Sequence, residues 1–165
     1  MRPVLPATGS VSTEIAATLE QVWPFICDPT IPARFSQELR EADFVEAYGP
    51  RRGAVIRGRN ARGDVEWSTL STVVDCEEPR LFRWATGGDG DPTATWTLEA
   101  TANDHGVVLT HAVEIHPGKA PLGAAIEAEP ERASEIVIAR MAEVLANMRA
   151  TVEGIAALAI DVPTR

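Results

Sequence analysis

The run Val107-Val-Leu-Thr-His-Ala-Val-Glu-Ile115 alternates apolar and other side chains, and His111 is the one ionisable group in the row Val107, Leu109, His111, Val113, Ile115. Imidazole titrates near neutrality, so a histidine so placed could act as general acid or base in the enolisation or dehydration of a β-keto compound. A buried histidine hydrogen-bonded to Thr69, Asn60 or a backbone carbonyl explains the same residue without chemistry. Trp67, Trp84 and Trp96 lie in three different strand-like runs. Their indoles could stack on a flat polycyclic molecule or simply fill a core. The Asn60 amide could orient a ligand carbonyl or satisfy the backbone of a hairpin.

Other chemistries find no footing. His105 and His116 fall in a turn and at a strand end, and His111 and His116 have opposite strand parity, so a zinc site is not expected. Cys27 and Cys76 lack metal or redox spacing and read as reduced core thiols. Gly87-Gly88-Asp89-Gly90 separates two strands instead of opening a helix, which argues against a phosphate loop. No serine or cysteine sits in a nucleophile elbow. Neither a metal nor a cofactor is expected.

Val11 to Ala16 predicts a first strand after a loose leader, Met1 to Gly9. Thr18 to Cys27 predicts a short helix carrying Leu19, Val22, Trp23 and Ile26 on one side, with Pro24 tolerable only if the helix is short or starts late. Ile31 to Ser36 predicts a second helical turn. Six further strands follow: Ala42 to Tyr48, Ala54 to Ala61, Val65 to Cys76, Leu81 to Thr86, Thr93 to Thr101 and Val107 to His116. The segments between them are Gly-, Asp- and Asn-rich turns, which implies antiparallel neighbours. Gly118 to Pro130 has the composition of a loop that gates a cavity or merely reverses the chain, with a short helix over Leu122 to Glu129. From Glu131 onward Ile138, Met141, Leu145, Met148, Val152 and Ile155 recur at spacings of three and four, the apolar stripe of a long helix. Arg140, Glu143, Asn147, Arg149 and Glu153 lie largely off it.

Hairpin register identifies the faces. With Arg62-Gly63 as a two-residue turn, Arg59 pairs with Glu66 and Gly58 with Trp67, so the indole lies over a glycine. Ile56, Gly58, Asn60, Val65, Trp67, Thr69 and Val73 then share the inner face. Arg57, Arg59, Glu66 and Ser68 share a solvated outer face, where Arg57 and Arg59 read as salt-bridge partners instead of an anion site. With Asp104-His105 as the next turn, Trp96 faces Val113, Leu98 faces His111 and Ala100 faces Leu109. The expected ligand-contacting set is Asn60, Trp67, Thr69, Phe82, Trp84, Trp96, Leu98 and His111 from the sheet and Met141 and Leu145 from the helix. His111 is also the only catalytic candidate.

The runs Gly53 to Gly63, Trp67 to Val73, Pro79-Arg-Leu-Phe82, Ala94-Thr-Trp96 and Gly106 to Thr110, with Val22 to Pro29 before them, resemble the polyketide cyclase/dehydrase group of the START/Bet v 1-like (SRPBCC) superfamily. The resemblance spans roughly Val11 to Leu158. It implies an α+β helix-grip fold: about seven curved antiparallel strands around a long C-terminal helix, two short helices after the first strand, and a cavity between sheet and helix. Relatives bind lipids, sterols, polyketides, quinones or hormones, and a minority are cyclases or dehydratases. The family has no universal catalytic motif, so no catalytic residue carries over. Phe35 stands where many relatives have a tryptophan, a departure expected at the cavity rim.

The totals narrow the partners. A length of 165 residues suits one domain, and 45% hydrophobic residues can fill its core. A formal charge of −9 opposes binding to nucleic acid or to anionic membranes. No signal-like or membrane-spanning apolar run occurs, which predicts a cytoplasmic protein without membrane insertion. The expected partner is a small apolar molecule, and a homodimer is left open. Two functions follow: a carrier or sequestering protein for a hydrophobic metabolite, or a cyclase- or dehydratase-type enzyme with His111 as acid/base and Asn60 as anchor.

Overall fold

Thr18 opens the first helix with a capping box: its hydroxyl accepts from the Gln21 backbone N–H, and the Gln21 side chain accepts from the Thr18 N–H at 2.9 Å. In the computed structural model, which describes residues 7–87, 90–116 and 121–161, this helix is α1, Leu19–Ile26. It buries Val22, Trp23 and Ile26 and ends two residues after Pro24. The Asp28 carboxylate then accepts from both the backbone and the hydroxyl of Thr30, starting α2, Thr30–Phe35.

The strands are β1 (Ala7–Ile15), β2 (Leu39–Phe44), β3 (Val55–Arg62), β4 (Val65–Glu77), β5 (Leu81–Thr86), β6 (Ala94–Asn103) and β7 (Gly106–Ile115). They form one antiparallel sheet in the order β1-β7-β6-β5-β4-β3-β2. Helix α3 (Pro121–Ala128), a 3-10 turn at Pro130–Arg132 and α4 (Ala133–Ile160) complete the chain. This is the helix-grip fold. Among the described residues, no helix is long and apolar enough to cross a membrane.

Four expectations need correction. The first strand begins before Val11, because Ala7–Gly9 pair with Val113–Ile115; the rest of the expected leader, residues 1–6, lies outside the described residues. The free ladder of β7 recruits small residues that have little strand preference of their own. Strand β2 begins at Leu39 and stops at Phe44, since β3 offers partners as far as Asn60. In the β3–β4 hairpin Arg62 pairs with Val65, so the turn is Gly63-Asp64, with Gly63 at φ 59°. A glycine adopts that left-handed conformation without steric cost, which moves the turn one residue along. Asn60 therefore faces Trp67 and Gly58 faces Thr69. Both partners slide together, so the inner and outer faces stay as assigned. Arg59 finds its partner on β2 as Glu41, at 2.8 Å, and not as Glu66.

The fourth correction concerns α4. Ile138 is 69% exposed, and the buried positions are Val137, Val144, Met148, Thr151, Val152, Ile155 and Ala159 among others. The helix lies on β1, α1 and α2 and touches β7, while it stands off from β3, β4 and β5. Its C-terminal half thus seals a solid core with Ile15, Val22, Leu98 and Leu109, all nearly inaccessible. Phe35 lies in the seam between α2 and α4: a methyl built at Gly154 would sit 2.5 Å from three atoms of its ring. It is not part of the cavity wall, contrary to the sequence expectation.

A cavity with an aromatic floor and an ionic rim

Where α4 stands off from the sheet, a cavity of about 990 Å³ remains. That is at the upper end of the usual range for small-molecule sites. Its floor is built by antiparallel pairing. Trp84 on β5 faces Trp96 on β6, and Leu98 faces His111 on β7. The two indoles are 14° from parallel with centroids 6.5 Å apart, and Phe82 lies 5.6 Å from Trp84. The His111 ring sits 5.9 Å from Trp84 and 6.0 Å from Trp96, closing a triangle with them.

His111 is 3% exposed. Its Nδ1 lies 2.8 Å from the carbonyl oxygen of Thr97, and a carbonyl only accepts, so Nδ1 carries the proton and donates. Burial pushes the imidazole pKa down to about 4, against a smaller upward pull from the Thr97 bond. The ring is therefore neutral at pH 7, and Nε2 presents a lone pair. No buried polar side-chain atom is sealed away without a partner among the described residues, and Nε2 has no partner there, so it borders the void.

The rim is built differently. The Arg140 guanidinium on α4 donates to both oxygens of Glu38, at 2.5 and 2.7 Å, and to Glu143 at 3.1 Å. Glu143 in turn accepts a two-pronged pair of bonds from Arg62 at the end of β3, at 2.7 and 2.8 Å. Four charges that sum to zero thus tie α4 to the segment before β2 and to the β3–β4 hairpin. The bond from Arg62 holds the Glu143 carboxyl below its ordinary pKa, and Glu38 raises that of Arg140. Asn147, one turn further along α4, accepts from the Gln37 backbone N–H at 3.0 Å.

Of the sequence candidates, Asn60, Trp67, Thr69, Phe82, Trp84, Trp96, Leu98 and His111 all border the cavity. Met141 and Leu145 do not: they occupy the space over Gly9 on β1, where a Cβ would approach them to 3.1 and 2.9 Å. Sequence reasoning missed Glu38, Arg62, Arg140 and Asn147, all on the cavity wall. The signal was present as a second helical line, Arg140, Val144, Asn147, Thr151, at spacings of three and four. Arg140 and Asn147 lie off the apolar stripe, so the stripe does not mark them. From the Gly118–Pro130 stretch, Pro121, Leu122 and Ala125 line the cavity, while residues 117–120 lie outside the described residues. Burial raises the pKa of the Cys27 thiol to about 11, and burial also raises that of Cys76. Among the described residues, no group of His, Cys, Asp and Glu side chains is arranged to hold a metal ion.

A long helix gripped by a curved antiparallel sheet over a hydrophobic ligand cavity defines the Bet v 1-like class. The chain belongs to the family described as polyketide cyclase / dehydrase and lipid transport, which matches residues 6–153. No curated protein sequence matches it. Among solved structures, a Polyketide_cyc-like protein of Corynebacterium glutamicum is 28% identical, with a TM-score of 0.62 over 90% of this chain and 88% of that one. The di-domain ARO/CYC protein BexL of the BE-7585A biosynthetic pathway is similar in fold: TM-score 0.70, 18% identity, 98% of this chain and 52% of that one. The major latex-like protein 151 of Panax ginseng shares the fold at 10% identity, with a TM-score of 0.63 over 93% of this chain and 97% of that one.

Proposed function

We propose that this protein carries or sequesters a small, largely apolar molecule in its cavity. One observation carries the reading: the floor is a cluster of indole, phenyl and aliphatic groups whose one titratable member, His111, is neutral at pH 7. Such a floor gains free energy by covering an apolar body and offers no proton to transfer at neutral pH. The reading includes a single domain acting in the cytoplasm with no nucleic-acid partner, in keeping with the charge of −9. Native mass spectrometry of protein taken directly from expressing cells tests it. A co-purified species of low polarity is expected, and a chain that stays empty and binds no apolar probe sinks the proposal.

The competing reading, a cyclase- or dehydratase-type enzyme like the ARO/CYC relative, rests on the exposed lone pair of Nε2. An imidazole with a pKa near 4 is a weak base. His111→Phe separates the two readings. A carrier still binds its ligand, losing no more than one hydrogen bond supplies, whereas an enzyme keeps binding its substrate but loses turnover by about two to four orders of magnitude.

A further inference from the structure

On the floor of the cavity one ring nitrogen is purely an acceptor. His111 Nδ1–H is committed to the Thr97 carbonyl, so Nε2 can only accept a hydrogen bond. It has no partner among the described residues, on a side chain that is 3% exposed and flanked by Trp84, Trp96 and Leu98. Reversing the tautomer does not help a ligand that itself accepts. It would set the Nδ1 lone pair against the Thr97 carbonyl oxygen 2.8 Å away. The geometry of the rings fixes the approach. Two stacked contacts of about 3.5 Å each need about 7 Å, more than the 6.5 Å between the indoles, so a ligand ring does not slide between Trp84 and Trp96.

We propose that the cavity selects neutral aromatic ligands bearing a hydroxyl, which rest on the two indoles and donate that hydroxyl to His111 Nε2, and that it discriminates against the same skeletons carrying only carbonyl or ether oxygens. This rests on the small-molecule reading above and narrows it to phenol-like ligands. An unmet acceptor costs a bound ligand the equivalent of about a 10- to 100-fold loss of affinity.

The test is titration calorimetry of the full chain at pH 7 with 2-naphthol, 2-methoxynaphthalene, naphthalene and 1,4-naphthoquinone. 2-Naphthol is expected to bind about 10- to 100-fold more tightly than the other three. His111→Phe is expected to bring all four close to equal affinity. His111→Gln, whose amide can both donate to Thr97 and accept from a hydroxyl, is expected to retain part of the preference. If His111→Phe fails to fold, ¹⁵N NMR of the wild-type imidazole replaces it: the Nε2 resonance is expected to shift with 2-naphthol and to stay in place with its methyl ether. Equal binding of all four compounds, or tighter binding of the quinone, overturns the hydroxyl selectivity and leaves the apolar cavity intact. Failure of all four to bind overturns the selectivity and the small-molecule reading together.

Discussion

The floor and the rim of the cavity are made by opposite means. The floor excludes charge: its one titratable group is held neutral by burial and fixed in direction by one backbone carbonyl. The rim concentrates charge, with two arginines and two glutamates bridging helix and sheet. The difference teaches a division of labour. Rings pressed together by three paired strands cannot shift without disrupting the sheet, so the floor decides what fits. Ion pairs between partly exposed side chains exchange partners with water at little cost, so the rim can rearrange where the floor cannot.

The largest way to break this contrast is to hollow out the floor. Leu98→Ala removes a fully buried side chain beneath His111 and should cost about 2–5 kcal/mol of stability, measured by urea unfolding. A loss below 1 kcal/mol would mean that the floor is soft and the contrast false.

Acid should act on the floor next. The folded-state pKa of His111 is about 4 against an ordinary 6.5, so between these values the unfolded chain binds more protons than the folded one. Stability therefore falls as pH drops from about 6.5 to about 4, by at most roughly 3 kcal/mol from this residue. Thermal melts across that range should show the fall, with the slope reduced in His111→Gln. An unchanged slope would assign the acid sensitivity elsewhere.

The rim should respond less in stability and more in kinetics. Glu38→Gln removes the charge that Arg140 grips and should cost about 1–2 kcal/mol, since the pair is only partly exposed. Stopped-flow release of a bound fluorescent probe should accelerate in this variant, and 1 M salt should mimic it in the wild type. Release rates that ignore both changes would show that the ion pairs do not govern access. At the small end, Arg59→Ala breaks an exposed pair with Glu41 on the outer face and should change stability by less than about 0.5 kcal/mol.

The floor was legible in the sequence and the rim was not, for a physical reason. Trp84, Trp96, Leu98 and His111 sit on strands whose faces follow from strict alternation, and parity survives a slip in which both partners move together. The β3–β4 turn shows this: Gly63 moved the pairing, yet Asn60 and Trp67 remained on the inner side. The β6–β7 register followed from the same logic, whereas the partner of His111, open between Thr69, Asn60 and a backbone carbonyl, is the carbonyl of Thr97. Helix faces are harder to read where the helix borders empty space. Burial of Val137 and Val144 obeys the usual stripe, but Arg140 and Asn147 face a void whose rim is polar, and no apolar pattern marks them. Met141 and Leu145 belonged to an apolar stripe, but β1 claimed them through Gly9.

The absent side chain at position 154 has a reach beyond its own neighbourhood. Phe35 fits against α4 only because nothing projects there, and α2, which ends at Phe35, also supplies Pro32 to the cavity wall. The cavity wall on that side is thus positioned from a residue that does not line it. An added methyl at 154 would force the Phe35 ring aside, so the wall beside Pro32 could be reshaped without altering one residue that lines it.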